Sequence, residues 1–333
     1  MIVIALVGIL MFAADWQELS RVVQEAVWKP LLPALLFTVF SYGCVGLSFA
    51  MVSRMLGIGM KRHELAAIGF ISTTLNHIVM SGGIAGYSVR YQLMHRRGTR
   101  MKDVLAASIF HQYLTSLDML MMLPVGLVYL LLNATVARGI ARILEAMTLV
   151  MTLVAIVTTI LIFSNSLRAG LLGALGKLAG TIMRHDYQPS LANFDQTMVR
   201  GVSAIKQRPW DLLMIMFLTY ADWVASVVVL GFCFDALGPA VKPGVLMSGF
   251  VIGIMSGVLS LVPGGFGVQE GSMAGIFALL GVSFEQAILA AVLFRGIYYL
   301  LPYAISLFLY WQMIRAPGGP TPTPSEGGAA CES

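Results

Sequence analysis

The sequence predicts an all-α polytopic membrane protein. Its 333 residues are 58% hydrophobic and only 11% charged, with a mean hydropathy of +0.84. A soluble domain typically has about 25% charged residues. A complete membrane span needs about 20 apolar residues. We expect about six full transmembrane helices, the first of them short, at 1–14, 31–53, 104–132, 139–163, 211–234 and 285–313.

Two further apolar segments, 65–96 and 244–281, are each interrupted by glycines. The breaks are Ser81-Gly82-Gly83-Ile84-Ala85-Gly86 and Pro263-Gly264-Gly265-Phe266-Gly267. Non-helical backbone at membrane depth is tolerated only where protein buries it or where it lines a cavity. Paired interrupted helices also point to binding sites in transporters. We therefore expect two re-entrant broken-helix hairpins around a polar cavity.

The distribution of basic residues predicts the orientation in the membrane. The stretches 54–64 and 90–103 are both rich in Lys and Arg, which accumulate in cytoplasmic loops. The apolar segment 65–81 lies between these two stretches. We therefore expect the chain to enter the membrane there from the cytoplasm, turn at the glycines and return to the cytoplasmic side. The stretch 164–210 is basic as well, and we expect it to be a long cytoplasmic loop. Both termini are then cytoplasmic.

The flanking segments complete the expected organisation. Residues 1–14 lack a basic start and a clear cleavage site, so we expect a retained short span, with a signal peptide as the alternative. The stretch 15–29 has apolar residues at helical spacing, typical of an interfacial amphipathic helix or of an extended, tilted span. We expect the membrane domain to cover 1–315, and the Pro- and Gly-rich tail 316–333 to be disordered.

The two interrupted units are weakly similar to each other. Their later portions are Ala106-Ala107-Ser108-Ile109-Phe110-His111 and Ala290-Ala291-Val292-Leu293-Phe294-Arg295. With opposite predicted insertion, this similarity favours an inverted repeat, which would place a substrate near the membrane midplane. Chance similarity is the alternative, because Ala and Phe are common in membrane helices.

Ionisable residues inside apolar segments are the first candidates for function, because charge is costly there. Glu270 opens a helix after the second break, where a carboxylate is favoured, so it acts as a helix cap, as a functional group or as both. Arg295 lies in the last span with Tyr298, Tyr299 and Pro302 on one face. We expect Arg295 to pair with Glu270 or to bind a lipid phosphate. Pro302 frees a backbone carbonyl there.

The first break has its own candidates. Arg90 lies on the returning helix, where it either extends to the membrane surface or points at an anionic headgroup. Asn76 and His77 lie on the entering helix, which has too many polar residues for a lipid-facing segment. The predicted substrate-binding residues of both breaks are Asn76, His77, Gly82, Gly83, Gly86, Arg90, Pro263, Gly264, Gly265, Gly267, Glu270, Arg295, Tyr298 and Tyr299.

Three more ionisable residues lie within predicted spans. His111 and Asp118 share one face of span 104–132, and Asp222 lies in the middle of span 211–234. Two interpretations are open for them: a proton or ion relay, or an interhelical network of satisfied hydrogen bonds. The sequence alone does not identify the partners of Asp222.

Motifs of soluble enzymes do not occur in the sequence. It has no Gly-Lys-Ser/Thr phosphate loop, no Gly-x-Ser-x-Gly elbow and no His-Glu-x-x-His zinc motif. It also has no basic module studded with aromatic residues, as nucleic-acid binding would require. We therefore expect no catalytic residue, no metal, no cofactor and no nucleic-acid partner.

Both breaks resemble one known family. The stretch from Asn76 to Arg90 resembles the Asn…Gly-Gly-x-x-Gly-x-x-x-Arg part of the membrane regions of lysylphosphatidylglycerol synthases (multiple peptide resistance factors). The stretch 260–270, followed by 293–302, resembles the second signature of that family, with Phe294 where Tyr is usual. The resemblance extends over most of the chain, to about Trp311. Members are bacterial and archaeal inner-membrane proteins.

The resemblance implies a lipid flippase-like transporter. In bifunctional members this region moves aminoacylated phosphatidylglycerol between leaflets, and a cytosolic transferase domain makes that lipid. We expect a stand-alone member without the transferase domain, with membrane lipids as partners. A membrane-embedded lipid-modifying enzyme and an accessory subunit of a separate lipid synthase are the alternatives. A homodimer is a further expectation, as is location in the inner (plasma) membrane.

Overall fold

The computed structural model describes residues 16–79, 83–133, 138–183, 188–260 and 262–315. Within these ranges the secondary structure is helical throughout and contains no strand. The α-helices are α1 (Trp16–Gln24), α2 (Leu31–Met55), α3 (Arg62–Val79), α4 (Ile84–His95), α5 (Met101–Asn133), α6 (Arg138–Phe163), α7 (Asn165–Met183), α8 (Gln188–Gln207), α9 (Pro209–Leu237), α10 (Pro243–Leu259), α11 (Val268–Leu279), α12 (Phe284–Phe294) and α13 (Leu301–Arg315). A 3-10 turn (Pro263–Gly265) precedes α11, and a π-helical turn (Arg295–Leu300) joins α12 to α13.

Several helices are long and apolar enough to cross a membrane. In the described part of the chain these are α2, α9 and the continuous helix Phe284–Arg315, with a fourth span if Thr152–Phe163 and Asn165–Leu178, bent by 93°, count as one. The expected six full spans are therefore supported only in part. Helices α5 and α6 have nearly the predicted bounds, whereas 1–14 and the tail 316–333 lie outside the described residues.

The structure decides between the two alternatives for the stretch 15–29 and corrects the prediction for the stretch 164–210. Helix α1 ends at Gln24 and is separate from α2, so the amphipathic stretch does not extend that span. The stretch 164–210, predicted as a loop, instead forms α7 and α8. Arg168 Nε lies 2.6 Å from Asp195 Oδ1 and joins these two helices. The loop prediction was wrong because it weighed charge and ignored the helical spacing of the apolar residues.

The first interrupted segment folds back on itself. The amide of Gly86 donates to Asn76 Oδ1 at 2.7 Å, and Arg90 Nε donates to Ser72 Oγ at 2.7 Å. These contacts move backward along α3 as they move forward along α4, so the two helices are antiparallel.

The loops before and after this hairpin lie beside each other. Arg97 Nε lies 3.5 Å from Glu64 Oε1, and Thr99 Oγ1 donates to Met60 Sδ at 3.7 Å. The two basic stretches 54–64 and 90–103 therefore meet at one end of the molecule, which we call the basic end. Their common location agrees with the charge argument made from the sequence.

The second interrupted segment is also an antiparallel hairpin. The ring of Phe277 on α11 lies against Gly249 on α10, where an added Cβ would be 2.4 Å from the ring. Met273, one turn earlier on α11, lies against Gly253, one turn later on α10. The small residues of α10 let the two helices approach closely, as is common in membrane helix pairs.

The two hairpins start from opposite ends of the molecule. Helices α2 and α9 form a central antiparallel pair, because Ser41 bonds to Asp222 while Val27 N donates to Ala236 O at 2.8 Å. The carboxyl ends of α2 and α9 therefore lie far apart. Since the first hairpin follows α2 and the second follows α9, the hairpins point toward each other, as the halves of an inverted repeat would.

The hairpins meet near the centre. Gln286 Nε2 donates to Pro239 O at 3.1 Å, so the second hairpin returns to the end from which it starts. At its tip, Gly264 has φ of 71°, and a Cβ there would lie 2.7 Å from the carbonyl oxygen of Ile78 near the tip of the first hairpin. Only glycine combines this backbone conformation with such a close approach. The second break therefore lies directly beside the carboxyl end of α3.

We predict that Lys61→Cys and Lys102→Cys are labelled from the same side of the membrane. The experiment uses a chain whose native cysteines are replaced by serine and an impermeant thiol reagent on sealed vesicles of known orientation. Lys242→Cys, in the loop between α9 and α10, is the matched control and should be labelled from the opposite side. Labelling of Lys61→Cys and Lys102→Cys from opposite sides would contradict the hairpin.

We predict that Gly46→Ala destabilises the protein, while Gly43→Ala on the same helix does not. A Cβ at Gly46 would lie 2.7 Å from the carbonyl oxygen of Ala66, whereas at Gly43 it would meet nothing within 4 Å. Overpacking costs about 1–3 kcal/mol, and Gly→Ala in an open helix position gains up to about 1 kcal/mol. Thermal unfolding in detergent measures both effects, and equal Tm values for the two variants would refute the tight contact of α2 with α3.

Candidate functional site

A central cavity of about 380 Å³ lies among α2, α3, α4, α5, α9, α10 and the π-helical turn. Its lining combines apolar side chains with several polar and ionisable ones. Eight residues singled out from the sequence line it: Asn76, His77, Gly83, Arg90, His111, Asp222, Tyr298 and Tyr299. These residues come from five separate segments of the chain, so the fold brings most of the predicted polar candidates to one place.

Arg90 occupies one part of this cavity. Its side chain is buried, with 3% of the residue exposed. Nε donates to Ser72, one terminal nitrogen lies 3.5 Å from His111 Nδ1, and the guanidinium lies 4.2 Å from the ring centre of Phe49. In the described part of the chain no carboxylate lies within 4.0 Å of it. Arg90 is therefore a buried cation with neutral neighbours.

The hydrogen bonds of His111 define its tautomer. Ser48 Oγ donates to Val45 O at 2.9 Å and lies 2.9 Å from His111 Nε2. Because arginine only donates, its hydrogen bond to Nδ1 requires the tautomer that carries a hydrogen on Nε2, which then donates to Ser48. Nδ1 then presents its lone pair toward Arg90. A chain of hydrogen bonds thus runs from Arg90 through His111 to α2.

Asp222 occupies another part of the cavity and is also buried, with 8% exposed. Ser41 Oγ donates to its Oδ1, and Tyr298 OH donates to the same oxygen at 3.2 Å. Among the described residues no Lys, Arg or His nitrogen forms an ion pair with it. Asp222 is the acidic counterpart of Arg90: its described side-chain partners are hydroxyl groups.

The spacing of the two charged clusters can be estimated along α2. Asp222 contacts Ser41, and the Arg90 chain reaches Ser48 through His111. Ser41 and Ser48 are about two helical turns apart, which is roughly 10 Å along the helix axis. The cationic cluster and the anionic cluster therefore contact α2 at points about two turns apart.

Aromatic residues form the wall between the cavity and the last helix. Pro302 has no N–H, so it cannot bond to the carbonyl of Tyr298 within the helix. Tyr42 OH donates to this carbonyl at 2.8 Å and lies 2.9 Å from His77 Nδ1. His77 in turn stacks on Tyr299, with ring centres 4.8 Å apart. The carbonyl that Pro302 leaves free is thus bound by Tyr42, which connects α2 with α3 and with the π-helical turn.

Glu270 and Arg295 belong to the second break rather than to the lining of the cavity. They form an ion pair, and both are buried. Arg295 also donates to the carbonyl oxygen of Gly264 at 2.8 Å and to Gln269 Oε1 at 3.2 Å, while Glu270 Oε2 accepts from the amide of Gly267 at 2.8 Å. The sequence-based pairing of the two residues is seen here, together with the cap of α11.

The remaining predicted residues lie outside the cavity lining. Gly86, Gly264, Gly265 and Gly267 form the backbone of the breaks. Gly82 lies outside the described residues. Thr219 Oγ1 on α9 donates to Asp118, whereas His111 contacts Ser48 and Arg90, so the two residues belong to separate sets of described hydrogen bonds. Pro263 begins the 3-10 turn.

Three functional contacts were not expected from the sequence. Ser41 and Ser48 on α2 hold the two charged clusters, and Tyr42 joins the hairpin to the last helix. The signal for them was faint: polar residues spaced by about two turns on one face of an apolar span. Trp223, which follows Asp222 in the sequence, also joins two helices, because its Nε1 donates to the carbonyl oxygen of Thr115 at 2.9 Å and connects α9 to α5.

Comparison with known proteins supports the resemblance seen at the breaks. The family model described as "Lysylphosphatidylglycerol synthase TM region" matches residues 1–306. The chain belongs to this family. Together with the candidate spans, this membership identifies a multi-pass membrane protein.

Curated relatives match over shorter stretches. A phosphatidylglycerol lysyltransferase of Staphylococcus aureus (strain COL) is 36% identical over 88 residues, which are 26% of this chain and 10% of the relative. A "UPF0104 membrane protein" of Methanothermobacter thermautotrophicus is 31% identical over 91 residues, which are 27% of this chain and 26% of the relative. The matched part is thus a small fraction of each relative.

We predict that Glu270→Ala strongly destabilises the protein. Removing one partner of a buried ion pair leaves the other charge uncompensated and costs about 3–5 kcal/mol. Asp211→Ala is the matched control, because the Arg208–Asp211 pair is exposed and such pairs contribute at most about 1 kcal/mol. Thermal unfolding in detergent measures the difference, and similar Tm losses in both variants would argue against the buried pair.

Proposed function

We propose that this protein is a flippase-like transporter that moves a phospholipid or lipid-linked headgroup between leaflets of the inner membrane. The observation that carries the proposal is a central cavity lined by a buried guanidinium and a buried carboxylate that have no oppositely charged partner among the described residues. Burying a charge without a partner is costly, so a headgroup that brings the complementary charges compensates for both. Intramembrane ionisable residues that face a cavity commonly mark a substrate or ion pathway.

Arg90 is the proposed ligand for the lipid phosphate. Its planar guanidinium suits a phosphate group, which accepts two parallel hydrogen bonds. Asn76 and Gly83, which also line the cavity, add polar contacts near the tip of the first hairpin. Arg295 has its described contacts at the second break, so its proposed part is to hold that break and the adjoining Tyr299 in position.

Asp222 is the proposed site for a cationic substituent of the headgroup or for a coupling proton. The hydroxyl groups of Ser41 and Tyr298 support either occupant. The family and the lysyltransferase name of its relatives support a lipid that carries an aminoacyl ammonium group at this position. His111 and Asp118 extend the polar path toward α5 and α9 as candidate relay residues.

The proposed arrangement in the membrane has six full spans and two re-entrant hairpins that enter from opposite faces. The antiparallel hairpins, the shared location of the loops that flank the first hairpin, and the contact of the second break with the end of α3 support it. The excess of Lys and Arg at the basic end supports placing that end, and both termini, in the cytoplasm.

We predict that Arg90→Gln and Asp222→Asn each slow lipid translocation about tenfold or more, because each removes a charge-assisted contact worth about 1.5–3 kcal/mol. The measurement is leaflet-resolved appearance of labelled phosphatidylglycerol and lysylphosphatidylglycerol in vesicles containing the purified protein. Arg90→Gln should impair both lipids. Asp222→Asn should impair the lysylated lipid more.

Arg315→Gln and Asp235→Asn are the matched controls, because both lie away from the cavity and should translocate lipid normally. Equal rates for all four variants would refute the proposed roles. Lipid analysis of a deletion strain adds a second criterion. A lipid that is made but found in the wrong leaflet supports transport, whereas a lipid that is not made indicates a role in synthesis.

A further inference from the structure

A second, apolar depression lies beside the central cavity, between α5 and α6. It has a volume of about 350 Å³ and is lined mainly by apolar side chains: Ile109, Tyr113, Leu117, Leu120, Val154 and Ile162. We call it the α5–α6 groove. The α6 residues around it are apolar and exposed, including Leu153 and Val157, so this side of the molecule faces hydrocarbon in a membrane.

The groove and the cavity share part of their walls. Gln112 and Ser116, one turn apart on α5, line both, and Gln112 Nε2 donates to Ser116 Oγ at 3.4 Å. His111 and Thr115 on the same helix face the cavity only. Helix α5 therefore presents a polar face to the charged site and an apolar face to the groove, with Gln112 and Ser116 at the boundary.

Away from the boundary, the hydroxyl groups of Tyr113 and Thr158 in the groove already have partners in the protein. Tyr113 OH and Thr159 Oγ1 lie 2.8 Å apart across the contact of α5 with α6, and Thr158 Oγ1 donates to Val154 O at 2.8 Å. They do not require water, so the groove suits an apolar occupant. A boundary between an apolar groove and a charged cavity matches the boundary between the acyl chain and the headgroup of one lipid.

We propose that the α5–α6 groove is the lateral portal of the transporter and holds an acyl chain of the phospholipid whose headgroup lies at Arg90. This inference rests on the proposed function and adds the path by which the lipid reaches the site. The headgroup passes Gln112 and Ser116 while the chain stays in hydrocarbon. The substrate is thereby defined as a molecule with a lipid chain, and a free phosphate ester does not suffice.

Photolabelling tests the portal. The full chain is reconstituted in phosphatidylcholine vesicles with a small fraction of phosphatidylglycerol that bears a diazirine midway along one acyl chain, and labelled residues are mapped by mass spectrometry. We expect labelling around Leu117 and Val154 that falls about tenfold in Arg90→Gln, the factor for loss of one charge-assisted hydrogen bond. Arg90→Lys, which keeps the charge, should retain most of it and shows that a loss is not a folding defect.

The groove formed by α2, α3 and α13 is the internal control. It is similarly apolar, at about 390 Å³, but shares no lining residue with the central cavity. Its labelling should not depend on Arg90. Equal, Arg90-independent labelling of both grooves would mean ordinary surrounding lipid and would overturn the portal. Lack of labelling in the α5–α6 groove would also overturn the portal, and it is the result expected if a second copy of the chain covers this groove.

Blocking the groove separates this inference from the proposed function. Val154→Trp fills the α5–α6 groove and should slow translocation several-fold, whereas Val39→Trp in the control groove should not. Normal translocation in Val154→Trp would refute the portal and leave transport intact. Arg90-dependent labelling of the groove in vesicles that show no translocation would support the lipid site and refute transport.

Discussion

Backbone that leaves the helix inside a membrane must find its hydrogen-bond partners within the protein. In the described parts of both breaks, side chains supply such partners. Asn76 accepts from the amide of Gly86 at the first break, while Arg295 donates to Gly264 and Glu270 accepts from Gly267 at the second. The rest of the site depends on these bonds, because they allow the two hairpin tips to stop and meet near the centre.

The buried charged residues of the two breaks and the cavity fall into two groups. Glu270 and Arg295 neutralise each other and are used by the backbone of the second break. Arg90 and Asp222 have only neutral partners among the described residues, so their desolvation is not offset by an ion pair. Such an arrangement is unfavourable for stability alone, and it is expected where a ligand supplies the missing charges. All four residues are buried, so what distinguishes the two pairs is whether their described partners carry the opposite charge.

The π-helical turn connects the two groups. In this turn the chain brings Arg295 to the second break and Tyr298 to Asp222, and Pro302 leaves a carbonyl that Tyr42 satisfies. Single π-helical turns are rare in proteins, and those that occur are often found at functional sites. Through Tyr42 and His77 the same turn also contacts the first hairpin. A change in the conformation of the last helix would thus alter contacts at both breaks.

The sequence by itself determined the helical, membrane-embedded character, the two interrupted segments and the shared location of the basic stretches, and it offered Glu270 as one of two expected partners for Arg295. These follow from composition, glycine content and the cost of isolated charge, which are local properties. It failed at 164–210, where charge concealed two helices. It also could not relate Ser41 to Asp222, which lie 181 positions apart, or Ser48 to His111, which lie 63 apart. Only the tertiary structure decided which charges are neutralised and which are not, because that depends on which helices become neighbours.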